Sequence, residues 1–79
     1  MMQRIEFDYS RLRGRIIEKF GNFTAFAVAT GQKKSNLSSK LSNKARISSE
    51  EMLAWSAPDK LDIAPAELYA YFLTPKSSF

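Results

Sequence analysis

Five cations, Lys33, Lys34, Lys40, Lys44 and Arg46, fall within a stretch that contains no acid, and Ser35, Asn36, Ser38, Ser39 and Ser42 are interleaved with them. Clustered ammonium and guanidinium groups attract a polyanion, and short hydroxyl and amide side chains between them can hydrogen-bond phosphate oxygens or base edges. A second group, Ser48, Ser49, Glu50 and Glu51, pairs hydroxyls with carboxylates. That set could serve nucleophilic chemistry only with a base to activate a serine, and the chain has neither histidine nor cysteine. The side chains that titrate near neutrality, ligate zinc or act as thiolate nucleophiles are therefore missing, and the expectation is a protein that is not an enzyme and needs no cofactor or metal.

The basic cluster belongs to a wider asymmetry. Residues 1–46 hold ten bases against three acids, while residues 47–79 hold two bases against five acids, so a net charge of +4 is the difference of two unlike halves. Seventy-nine residues with 44% apolar and 13% aromatic content make one small domain, too hydrophobic to stay disordered. The charged start, Met1-Met2-Gln3-Arg4-Ile5-Glu6, is unlike a signal peptide, and no run approaches the roughly 18 apolar residues of a membrane span. The expectation is a soluble, cytoplasmic protein with no membrane or small-molecule partner.

The elements that must carry the basic cluster are short helices. Asp8 and Ser10 are competent N-caps for a helix over 10–20, whose Leu12, Ile16 and Phe20 recur every four residues before Gly21. Asn22 can cap a second helix, 23–30, with Phe23, Phe26, Ala27 and Thr30 on one side and Gly31 at its end. A third helix over 33–42 has two apolar anchors, Leu37 and Leu41, and is polar elsewhere, so Ser35, Ser39 and Ser42 point away from the core. Ser48 and Ser49, followed by Glu50 and Glu51, resemble a capping box for a helix over 49–57, which Pro58 ends or kinks. Leu61 and Ile63 return to the core, and Pro65 opens a fifth helix over 65–72. Residues 1–8 read as a lead-in arm and 74–79 as a frayed tail, giving an all-α, compact bundle of four to five short helices.

Within that bundle, residues 23–42 have the spacing of a helix-turn-helix: small Ala27 where two helices cross, Gly31 four residues on, then Leu37 and Leu41 pinning the second helix. The stretch from Phe26 to Lys44 resembles the Cro/cI-like (XRE) helix-turn-helix family, whose pattern is met by Ala27, Gly31, Leu37, Ser38 and Lys44. Phe7-Asp8-Tyr9-Ser10-Arg11-Leu12-Arg13-Gly14-Arg15-Ile16, Leu41-Ser42-Asn43-Lys44 and Tyr71-Phe72-Leu73-Thr74-Pro75-Lys76 extend the likeness to small Cro-type regulators of temperate phages, including modulators of repression. The resemblance implies a lambda-repressor-like DNA-binding domain that reads an operator in a phage lysis–lysogeny switch inside a bacterial host.

On that resemblance, Gln32, Lys34, Ser35, Asn36 and Ser39 are the expected contacts to bases, and Asn22, Lys33, Lys40, Lys44 and Arg46 the expected contacts to phosphates of double-stranded DNA. The chain departs from the family at Phe23, where glutamine is common, and at Gln32 and Lys33, where an apolar residue and a capping Ser or Thr are usual. Serines also stand where long bidentate readers would discriminate A from G. The alternative is an antirepressor that binds a cI-type repressor protein, with the aromatics Trp55, Tyr69, Tyr71, Phe72 and Phe79 as candidate anchors. A homodimer is the simplest way for so small a reader to gain affinity.

Overall fold

The computed structural model describes residues 6–75, and it is an all-α bundle. Helix α1 spans Ser10–Phe20, α2 Phe23–Ala29, α3 Lys34–Leu41, α4 Ser49–Trp55 and α5 Leu68–Phe72, the last preceded by a single 3-10 turn over Pro65–Glu67. Helix α1 packs against α2 and α5, and α2 packs against α3. None of the described helices is long and apolar enough to cross a membrane.

The core follows from the helical spacing of apolar residues. Leu12, Ile16, Phe26, Leu37, Leu61 and Phe72 are fully buried, joined by Tyr9, Ala27, Leu41, Ile47, Trp55 and Ile63. Phe26 stands edge-on to Phe20 on one side and to Trp55 on the other, with centroids 5.1 and 5.2 Å apart, and Trp55 reaches Phe72 at 6.2 Å. These edge-to-face and tilted rings knit α1, α2, α4 and α5 around one centre. Burial pushes the Tyr9 hydroxyl above its ordinary value of 10.0.

Local rules account for most helix ends. The Asn22 side chain accepts from Ala25 N–H at 2.7 Å, and Ser48 and Glu51 form a reciprocal capping box. Gly21 (φ 84°) and Gly31 (φ 72°) take the left-handed conformation that ends α1 and α2. After α2, Gln32 N–H reaches back to Ala27 C=O and Gly31 N–H to Val28 C=O, the two bonds of a Schellman turn.

Four expectations need correction. Neither Asp8 nor Ser10 is the N-cap of α1; that position falls to Tyr9, and Asp8 instead accepts from Ser10 N–H at 2.9 Å. The fourth helix stops at Trp55 rather than at 57, because Ser56 turns the chain and its hydroxyl donates to Met52 C=O. The fifth does not run evenly over 65–72 but begins as the 3-10 turn. Thr74 and Pro75 are not a frayed tail: Asp8 N–H donates to Thr74 C=O at 2.8 Å, and Phe7 and Pro75 form an isolated antiparallel bridge. Residues 76–79 of that expected tail, and 1–5 of the arm, lie outside the described residues.

Candidate nucleic-acid interface

Helix α3 is held to the bundle along a narrow stripe. Leu37 and Leu41 are buried one turn apart, each contributing about 1.5–3 kcal/mol, while Lys33, Lys34, Ser35, Asn36, Ser38 and Ser42 are exposed. The turn from α2 to α3 occupies residues 30–33, with Gly31 supplying the positive φ and Lys33 as an extended N-cap that makes no side-chain cap bond. Unlike α2 and α4, α3 therefore presents its first-turn amides without a capping side chain, as a lysine side chain, which has no acceptor, dictates at the N-cap.

The far end of α3 is closed by Asn43. With φ of 64° it plays the part usually taken by glycine, and Lys44 N–H bonds Ser39 C=O at 2.8 Å in a second Schellman turn. Arg13 of α1 adds a cation at this end, its Nη2 donating to Leu41 C=O at 2.9 Å while its guanidinium lies 6.0 Å from the Phe23 ring centroid. The first contact ties α1 to the end of α3, and the second ties α1 to the start of α2.

The expected site residues divide into two groups. Lys33, Lys34, Ser35 and Asn36 are exposed at the start of α3, and Lys44 and Arg46 are exposed just beyond its end. No ion pair engages Lys33, Lys34, Lys44 or Arg46 among the described residues. Ser39 is half-buried, and its carbonyl receives both Lys44 and Ala45 N–H groups. Asn22 lies at the N-terminus of α2 with its side-chain oxygen committed to the cap.

Gln32 and Lys40 are turned inward, against expectation. The Gln32 amide donates to Thr30 Oγ1 at 2.9 Å and its oxygen accepts from Lys40 Nζ at 3.3 Å. The Lys40 ammonium also pairs with Glu51 of α4 and sits 5.9 Å from the Trp55 ring centroid. The reason is a neighbour the sequence does not advertise: Glu51 divides its two oxygens, Oε1 facing Ser48 and Oε2 facing Lys40. Burial acts to raise the Glu51 pKa, but the Lys40 hydrogen bond and charge, with the Ser48 backbone and hydroxyl, hold it below its ordinary value of 4.5.

Two contributors lie outside the expected set of DNA contacts. Ser38 is exposed on α3, and its spacing of four from Lys34 was the signal that both share a face. Arg13, by contrast, carries no local sign that it closes a helix 28 residues away. A search among curated proteins finds no match to the chain. Residues 5–75 match the profile of a family described as proteins of unknown function, DUF739, and the chain belongs to that family.

Proposed function

We propose that this chain is a DNA-binding transcriptional regulator of the Cro-like kind, acting in a phage or prophage lysis–lysogeny switch, with α3 in the major groove of an operator. The observation that carries the reading is the placement of four cations that make no ion pair among the described residues, Lys33 and Lys34 at the start of α3 and Lys44 and Arg46 after it, around an exposed face of Ser35, Asn36 and Ser38. In this reading Lys33, Lys44 and Arg46 meet phosphates on both sides of the groove, and Lys34 and Asn36 supply most of the base discrimination, since serines reach edges only at short range or through water. Such a protein acts in the host cytoplasm, on DNA, without a cofactor or catalytic step.

Its test is a titration of the duplex adjoining its own gene, against a scrambled duplex, at two salt concentrations. Three phosphate contacts give a slope of log affinity against log salt of about −3. A second reading, docking on a cI-type repressor, is favoured by the serine-rich outer face of α3 and by outward apolar side chains, Val28 at 75% and Leu53 at 63% exposed. Adding the neighbouring repressor to the titration separates the two: salt-sensitive binding to DNA alone supports the first, and binding only to the repressor supports the second.

A further inference from the structure

We infer that Lys40 is not a ligand contact of α3 but its positioning residue, setting the angle of the helix against α4 by pairing with Glu51 over the face of Trp55. The inference rests on the DNA-binding reading for its functional consequence, and on geometry alone for the mechanical part. Leu37 and Leu41 fix where α3 touches the core, but two anchors one turn apart leave the helix able to rock about their line. Polar contacts from two neighbouring helices restrain the rocking. Arg13 supplies one from α1, through Leu41 C=O, and Lys40 supplies the other from α4.

The surroundings of the pair make it more than an exposed ion pair. Only 17% of the Lys40 side chain and 30% of the Glu51 side chain are accessible, and the Lys40 ammonium sits over the Trp55 ring. Glu51 is itself fixed, because its other oxygen and its backbone N–H are both bonded to Ser48 in the capping box. On the Lys40 side, Gln32 accepts from the ammonium while donating to Thr30, whose hydroxyl in turn donates to the last-turn carbonyls of α2, Phe26 and Ala27. One lysine thus joins α3 to the end of α2, to the turn and to the start of α4. A partly buried, preorganised pair holds a direction in a way that a solvated pair does not.

The consequence is a sign that ordinary electrostatics would not give. Removing an acid from a DNA-binding face should tighten binding to a polyanion, whereas removing the Glu51 charge here frees α3 and weakens it. The test uses Glu51→Gln, which keeps a capping side chain, Lys40→Met, which keeps an unbranched apolar stem but removes the charge, and the double variant, each read for affinity and salt slope on the same duplex. Expected is a loss of about tenfold in affinity for each single variant, with the salt slope unchanged and the double variant no worse than either, as for one interaction removed twice.

Amide exchange without DNA supplies the second readout: Leu37 to Ser42 should exchange about tenfold faster in both single variants while α1 keeps its protection. A salt slope that falls by about one in Lys40→Met makes Lys40 a phosphate contact and overturns the inference, as does tighter binding by Glu51→Gln. If the unaltered chain binds no duplex, the DNA reading fails separately, and exchange still decides: unchanged rates in α3 overturn the positioning role, and faster rates confined to α3 uphold it.

Discussion

Asn43 grips both main-chain polar groups of Phe7, 36 residues away in sequence: Phe7 N–H donates to its Oδ1 at 2.9 Å, and its Nδ2 donates to Phe7 C=O at 2.9 Å. One amide side chain thereby does what a neighbouring strand would do, and the arm needs no sheet. Because the same residue closes α3 in the left-handed conformation, the arm and the end of α3 share one anchor.

Asn43→Ala should accordingly cost about 2–3 kcal/mol, from two lost hydrogen bonds and from a left-handed backbone that alanine resists. Asn43→Gly loses the same bonds without that backbone strain and should cost about 1 kcal/mol less. Urea denaturation measures both, and equal midpoints for the two variants would show that the positive φ carries no strain.

The neighbourhood of Asn43 also shows what could be read in advance. Helix ends set by residues three or four apart were legible: Asn22 with Ala25, Ser48 with Glu51, and the glycines after α1 and α2. Features that depend on distant partners were not. Nothing near Lys40 distinguishes it from Lys44, yet Glu51 draws the first inward and leaves the second exposed. Likewise Thr74 and Pro75 look like a terminus until Phe7 and Asp8 are seen beside them. The position of the basic face was thus legible, and the division of its cations between surface and interior was not.

Stability should depend on pH through Glu51. Its folded pKa lies below its ordinary value, so the pair's contribution is complete above about pH 5 and is lost as pH falls through the depressed value. At pH 7, Glu51→Gln should be less stable by about 1–2 kcal/mol, between the values for exposed and buried pairs. The difference should shrink on acidification. Thermal melts of the two proteins from pH 7 to pH 3 check this, and a gap that stays constant would show that the charge contributes nothing.

Glycine substitutions should divide by backbone rather than by space. A Cβ at Gly14, Gly21 or Gly31 would meet nothing within 4 Å, but Gly21 and Gly31 have positive φ whereas Gly14 lies within α1. Gly14→Ala should therefore stabilise by about 0.5–1 kcal/mol, and Gly31→Ala should destabilise by about 1–2 kcal/mol. Opposite shifts in melting temperature are the expected result; a rise for both would remove the Schellman turn as the reason for Gly31.

Replacing the surface cations should act on affinity in two ways. Lys44→Ala and Arg46→Ala should weaken specific and scrambled duplexes alike and lower the salt slope by about one each. Lys34→Ala or Asn36→Ala should narrow the difference between the two duplexes, because each loses a reader of base edges. Fluorescence anisotropy at two salt concentrations distinguishes these patterns.

Trp55 gives the molecule a built-in optical probe. It is the chain's single tryptophan, buried between Phe26 and Phe72, with the Lys40 ammonium 5.9 Å from its ring centroid. An indole's excited-state dipole responds to nearby charge and to entering water, so its emission wavelength reports whether that lysine is in place. Unfolding exposes the ring and shifts emission strongly to the red, while a rocking of α3 that withdraws Lys40 shifts it slightly with the core intact. Events on the outer face of α3 thus become visible as colour from inside the protein, with no label attached.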